Sequence, residues 1–514
     1  MNLNLPLSAL PILFILVLML GFRWSAARAG LIGWLSAVVI ASTFFGARLD
    51  VLAVAQAKAL LLTLDVLLIV WNAFLLYRVT DEAGAIEFFS STLPNLTTDR
   101  AMQALLIGWI FASFLQGVGG FGVPTAVTAP LLVGLGFSPV SAVLIPSIGH
   151  AWSVTFGSLA SSFQALMAAT QLPGELLAPS AAAFLGLAAV GCGLMVAHAA
   201  DGASALRRLG FTVLLLGILM GTGQYLLAIR GLWNIAALGG SVAGLIGGYF
   251  AARFMRPEAP TPRPDSPKRT AILLAFTGYI TLVVLTLAVQ LIPPLHDGLS
   301  VLTIRFHFPQ VETSMGYITA AGYGRQIPIL RHAGTILAVS ALSAYWVYRW
   351  SGQLSSGSGR RILTDTAERM LSSSLGVTAM VSMAVIMAHA GMTEVLANGL
   401  SSGVGAYFPL VAPWIGGLGA FITGSNTNSN VVFAALQLRT AELLGLQAAL
   451  ILAAQTTGGA IGSVVAPTKI IVGASTTGAA GEEGVIMRRL IGYVVLLIAL
   501  TSLLAMSLVG FTTP

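Results

Sequence analysis

The chain has 514 residues, of which 56% are hydrophobic and 8% charged, whereas a soluble domain carries about 25% charged residues. A formal charge of +7 could suit a nucleic-acid binder, but the bases stand in short loops between apolar runs, as the positive-inside rule expects, which excludes that class. No Asp, Glu, Lys or Arg occurs between Arg100 and Glu175, from Val395 to Leu438, or from Leu443 to Thr468; such stretches belong in hydrocarbon, and the chain is an all-α polytopic membrane protein.

In chain order, the first apolar run, LPLSALPILFILVLMLGF ending at Phe22, has no basic segment before it and reads as a first span rather than a cleaved signal peptide. Further runs follow to 509, enough for about 12–14 transmembrane helices at about 20 residues each. The single cysteine, Cys192, falls in a Gly/Ala-rich run and is assigned to packing. The least apolar internal stretch, RFMRPEAPTPRPDSPKR at 253–269, is rich in proline and bases and is expected to be a cytoplasmic linker. It separates a first membrane half, 1–252, from a second, 270–514. The polar segment 293–331 is expected to be an external loop with a partly embedded element. The basic clusters at Arg23/Arg28, Arg207/Arg208, 253–269, 349–369 and Arg488/Arg489 are assigned to the cytoplasm.

Each half carries two interruptions of its apolar sequence. In the first they are Gly117-Val-Gly-Gly-Phe-Gly-Val-Pro-Thr125 and Ser147-Ile-Gly-His-Ala-Trp-Ser153. In the second they are Gly424-Ser-Asn-Thr-Asn-Ser-Asn430 and Gln455-Thr-Thr-Gly-Gly-Ala-Ile-Gly-Ser463. Interrupted apolar segments at corresponding positions of two halves mark the midplane site of a secondary transporter built from inverted repeats. Spans counted from the basic loops bring the chain to Gly117 from the cytoplasm and to Gly424 from outside, as inversion requires.

The chemistry of these breaks suits a small carboxylate. Glycines such as Gly119, Gly120 and Gly122 ahead of Pro124 disfavour a continuous helix. Their free N–H groups, with Thr125, form an anion-binding tip at a helix start; a close-packing surface of small residues is the alternative. Ser425, Asn426, Thr427 and Asn428 place donors and acceptors together in apolar sequence, where they must meet one another, water or a ligand. An N-terminal cap is compatible with the same residues. Thr457 and Gly458 contribute the second break. Lys469 is a counter-charge for an anion or a snorkelling side chain. His150 is the candidate proton carrier, the alternative being a neutral core histidine. Asp65 is a second proton candidate, although pairing with Lys58 about two turns away, or another structural role, is preferred for it because it lies outside both repeats. His389, Glu394 and Glu442 fall near span ends and are weaker candidates.

FLQGVGGFGVPTAVTAPLLVGLGF (114–137), GSNTNSNVVFAALQ (424–437) and TTGGAIGSVVAPTKI (456–470) resemble the lactate permease family. That resemblance implies L-lactate or glycolate import with protons into a bacterium, re-entrant hairpins, broken helices, and an elevator-like or rocking exchange across the cell membrane. It implies no cofactor, no metal and no enzymatic activity. Its partners are a small carboxylate, protons or sodium, and the lipid bilayer; a homodimer is compatible with it. The chain departs from the family at Gln116 and Asn426, where members carry acids, and at Ser463, where some carry lysine. His150 then becomes the leading proton group. Ser425-Asn426-Thr427 also resembles the Ser-Asn-Thr signature of sodium-coupled dicarboxylate carriers, so a sodium-coupled or exchange-type organic-anion carrier is the rival reading. A channel would want rings of charge, and an intramembrane hydrolase would want an acid beside His150.

Overall fold

The computed structural model describes residues 3–22, 24–85, 96–120, 122–254, 274 and 277–512. The expected linker at 253–269 lies outside them, apart from its first two residues. Among the described residues, nine helices are long and apolar enough to cross a bilayer, or up to 11 if two bent pairs each count as one span. The all-α polytopic architecture expected from composition is therefore present, with fewer full-length spans than apolar runs. One reason is that several runs are arms of hairpins or halves of broken helices, too short to cross alone.

Three long helices open the chain: α1 (Asn4–Leu20), α2 (Ala26–Phe44) and α3 (Leu49–Glu82). The fourth, α4 (Arg100–Val118), is π-helical over Leu105–Phe111. A turn with left-handed Gly120 (φ 60°) and Gly122 (φ 85°) then reverses it into α5 (Val123–Gly134). At the base of this pair Arg100 Nη2 donates to the Gly136 carbonyl at 2.5 Å, so both arms begin and end together, as a re-entrant hairpin must.

A broken helix follows. Its halves, α6 (Pro139–Gly149) and α7 (Gly157–Thr170), meet at 51° across the 3₁₀ turn Ala151–Ser153. Just inside α7, Ser158, Leu159 and Ala160 form a short left-handed turn with φ of 45°, 56° and 65°, a conformation costing about 1–2 kcal/mol per residue. Next comes α8 (Gly174–Ala228), which folds back at Asp201–Gly202. Gly186 lies against Gly221 and Gly193 against Val213, so α8 is an antiparallel pair joined by a tight turn. Helix α9 (Trp233–Phe254) completes this part.

The later elements begin with α10 (Thr277–Leu291) and the short α11 (Pro293–Leu299). The segment expected to be a loop is a β-hairpin of six two-residue strands. They are β1 (Thr303–Ile304), β2 (His307–Phe308), β3 (Val311–Glu312), β4 (Ile318–Thr319), β5 (Gly322–Tyr323) and β6 (Ile327–Pro328). They pair antiparallel as β1–β6, β2–β5 and β3–β4. After the hairpin come α12 (Ala333–Trp350), α13 (Ser358–His389) and α14 (Met392–Val404).

The second set of breaks has the same order as the first. Helices α15 (Phe408–Thr423) and α16 (Asn426–Leu443) reverse at left-handed Gly424 (φ 71°). Ser429 Oγ donates to the Gly416 carbonyl and Gln437 Nε2 to that of Ala412, so these arms run antiparallel. A second broken helix, α17 (Ala448–Gly462) and α18 (Pro467–Thr477), is joined by the 3₁₀ turn Ser463–Val465. Helix α19 (Glu483–Thr512) ends the described chain. The return arms are exchanged: α5 packs on α18, and α16 packs on α7.

Glycines set the closest approach in this bundle. A Cβ on Gly458 would meet the Pro413 carbonyl and one on Gly416 the Gln455 carbonyl, so α15 and α17 touch backbone to backbone. Replacing Gly458 by Leu should therefore abolish folded, monodisperse protein in detergent. Replacing Gly134 by Leu, where a Cβ meets nothing within 4 Å, should leave the yield unchanged; size-exclusion chromatography of both variants checks the contrast.

Candidate functional site

The first turn of α16 meets the break in the first broken helix and the middle of α17. Ser425 caps α16 by accepting from the Asn428 N–H at 3.3 Å, so its hydroxyl serves the backbone. Asn426 Nδ2 donates to Thr155 Oγ1 at 3.1 Å and Thr456 Oγ1 at 3.3 Å. Asn430 Nδ2, one turn on, donates to Thr456 Oγ1 and to the Ser162 carbonyl, both at 2.9 Å. Thr155 and Thr456 hydroxyls lie 3.2 Å apart, and Thr427 Oγ1 is 3.0 Å from Ser162 Oγ. Thr456 is the hub: one hydroxyl serves two amides and a second threonine.

This hub uses the amide nitrogens and leaves oxygens over. Asn426 Oδ1, Asn428 Oδ1, Asn430 Oδ1 and Thr457 Oγ1 are buried with no hydrogen-bond partner among the described residues. The Ser162 carbonyl fixes which end of Asn430 is nitrogen, because only an NH₂ can face it. Orphaned buried acceptors are costly; those of Asn426 and Asn430, one helical turn apart, belong to side chains on the hub face of α16, whereas Asn428, two residues from each, stands on another face.

The other sites singled out in the sequence are distributed around this hub. Gly120 and Gly122 form the tip of the first hairpin; a Cβ on Gly120 would meet the Ser158 hydroxyl, so tip and left-handed turn touch. Backbone strain of this kind gathers at functional sites. Gly119 faces the Tyr77 ring instead, and Gly458 packs on α15; both are explained by packing. Thr125 lies 3.4 Å from Ser147 Oγ and beside Gly473 of α18, at the contact that mirrors α16 on α7. Lys469 Nζ donates to Ser463 Oγ at 3.1 Å and is half-buried. His150 is buried beneath the break, its Nδ1 2.6 Å from the Pro146 carbonyl. That bond puts the ring proton on Nδ1 and leaves Nε2 as a buried lone pair without a partner. Lys469 is within electrostatic reach of it.

Asp65 is elsewhere. Its carboxylate accepts from Arg325 Nε at 2.8 Å and pairs with His332 Nε2 at 2.9 Å, both contributed by the β-hairpin and its exit. The expected pairing with Lys58 is absent, because a hairpin more than 250 positions downstream supplies a closer cation. Glu394 pairs with Arg439, which also reaches Glu442. Three hub residues, Thr155, Ser162 and Thr456, escaped the sequence reading. The doublet Thr456-Thr457 is a usable signal for one of them, but it does not distinguish Thr456, which serves the hub, from Thr457, which does not.

Among the described residues, no group of three His, Cys, Asp or Glu side chains could hold a metal ion. Two re-entrant hairpins and two broken helices meeting around a buried polar cluster define a multi-pass membrane transporter. The profile of the L-lactate permease family matches residues 5–511, and the chain belongs to that family. The L-lactate permease of Bacillus subtilis (strain 168) is 26% identical over 98% of this chain and 96% of its own length. The glycolate permease GlcA of Escherichia coli (strain K12) is 25% identical over 95% of this chain and 92% of its own. Two solved transporters align more weakly. YdaH of Alcanivorax borkumensis aligns at TM-score 0.46 and 15% identity over 87% of this chain and 85% of that one. MtrF of Neisseria gonorrhoeae aligns at TM-score 0.45 and 13% identity over 99% and 96%.

The two adjacent threonines separate structure from binding. Thr456→Val strips an acceptor from two buried amides, at about 1–3 kcal/mol each, and should lower the melting temperature of detergent-solubilised protein by several degrees. Thr457→Val removes a hydroxyl without a partner; it should leave the melting temperature in place and reduce lactate uptake. Equal melting temperatures for both variants would remove Thr456 as the hub.

Proposed function

We propose that the protein is a secondary active importer of small 2-hydroxymonocarboxylates, L-lactate first and D-lactate or glycolate next, driven by protons. The observation that carries this reading is the pair of orphaned buried acceptors, Asn426 Oδ1 and Asn430 Oδ1, one turn apart on the hub face of α16. The hydroxyl of a 2-hydroxy acid donates to such oxygens, while the hairpin-tip glycines and Lys469 suit its carboxylate. The names of the relatives point to the same substrates. Two halves with inverted hairpins fit alternating access, with the hairpin and broken-helix block moving between the faces as an elevator.

His150 is the proton group in this scheme. With Nδ1–H committed to the Pro146 carbonyl, Nε2, buried beside the helix break, is the position that can take up a proton. Gln116 and Asn426 stand where family members carry acids, and neither can titrate. Sodium coupling is the second reading, favoured by the Asn426 and Asn430 oxygens, which are hard ligands without donors.

Uptake of labelled L-lactate into proteoliposomes, under an inward pH gradient and then an inward sodium gradient, tests both. The expected result is accumulation with the pH gradient alone. His150→Gln should keep lactate counterflow near the wild-type rate and lose accumulation, because exchange needs no net proton movement. Accumulation by His150→Gln under a pH gradient removes the histidine from coupling, and wild-type accumulation that follows sodium alone establishes the rival.

A further inference from the structure

A cavity of about 270 Å³ lies between the β-hairpin, α3, α7, α13 and α16, apart from the hub. Lys58, Arg325 and His389 line it with Tyr323, while Val431 and Ala435 of α16 supply an apolar wall. No aspartate or glutamate is among its lining residues. The nearby acid, Asp65, is 2% exposed and already holds Arg325 through Nε and His332 through its other oxygen.

That arrangement leaves positive charge uncompensated. With Nε committed, the two Nη atoms of Arg325 have no partner among the described residues, in a side chain 24% exposed. Lys58 has no carboxylate within ion-pair distance among them either; its Nζ sits 5.5 Å from the centre of the Phe308 ring. An arginine fork beside a lysine, with an apolar wall opposite, is a recognition geometry for a small organic carboxylate. The cavity lies at the hairpin end of α12 and α13, opposite their ends carrying Arg349, Arg360 and Arg361, which places it outside under the positive-inside rule. Val431 follows Asn430 directly, so the cavity wall continues into the hub along α16.

We propose that this cavity is an outer capture site, where the Arg325 fork and Lys58 hold the carboxylate of the incoming acid before it moves along α16 to the hub. Asp65 is a positioning residue: it fixes Arg325 through Nε and keeps the fork free. The inference rests on the reading of the substrate as a small monocarboxylate.

Sided kinetics test it. Arg325→Gln and Lys58→Met should each raise KM for external L-lactate about tenfold or more, the size of one lost charge-assisted hydrogen bond. KM for efflux from the inside should stay near wild type, while Vmax/KM falls equally in both directions, as the fixed transport equilibrium requires. Asp65→Asn should shift external KM in the same direction, and Arg325→Lys should recover only part of the loss because it lacks the fork. Unchanged external KM in both cationic variants, or equal changes of KM on the two sides, overturns the proposal. A second measurement does not depend on lactate transport. Tyr323 is 57% exposed and Cys192 fully buried, so in Tyr323→Cys an impermeant maleimide reads position 323. Lactate, glycolate or acetate should slow that labelling, and Arg325→Gln should abolish the protection. If the wild type transports no lactate, the substrate reading fails, and protection by acetate or its absence still decides the capture site.

Discussion

Everything in this molecule depends on one constraint: a backbone interrupted inside hydrocarbon must find its hydrogen-bond partners within the protein. Four interruptions bring unpaired N–H and C=O groups and a set of Ser, Thr and Asn side chains into the apolar interior. None can be left to lipid, so each break is covered by another part of the chain. The fold follows from where those covers come from.

The covers are exchanged between the two sets of breaks. Helix α16 seals the first broken helix, through Thr427 and Asn430 on Ser162. Helix α5 lies against α18, with Thr125 beside Gly473. A hairpin that covers a distant break is held by polar contacts at its tip and by glycine-mediated contacts along its arms. In the frame of α2, α3, α12 and α13, α3 brings larger apolar side chains such as Val66, Ile69 and Phe74 and the ion pairs of Arg78 with Asp81 and Asp365, while α2 meets α13 through small residues, Gly30 on Ala379 and Ala26 on Gly376.

The breaks themselves were legible in the sequence because their chemistry is local. Glycine before proline, or six small polar residues in an apolar run, declares a problem that only a turn can solve. What solves it was not legible. Thr456 stands 30 positions from Asn426, and Thr155 stands 271 from it; no periodicity joins them, and of two adjacent threonines the hub is chosen by helix rotation alone. Asp65 met the same difficulty, since its partners Arg325 and His332 arrive on strands two residues long, below the length at which alternation signals a strand. Apolar runs were counted as spans because length and hydropathy describe a hairpin arm and a short crossing helix alike. The fold-back within α8 worked the other way, two runs lying in one nearly unbroken helical stretch.

The long reach of those covering contacts bears on how the protein is made. Ser162 finds Thr427, and Thr155 finds Thr456, across 265 and 301 positions. The first broken helix therefore leaves the ribosome long before the residues that close it exist. Domains emerge in order during synthesis at about 5–20 residues per second, so the opening breaks wait tens of seconds uncovered. During that interval the opening breaks carry polar groups that lipid cannot serve. The contacts that close the first broken helix are therefore made late in synthesis, once positions 427 and 456 have emerged.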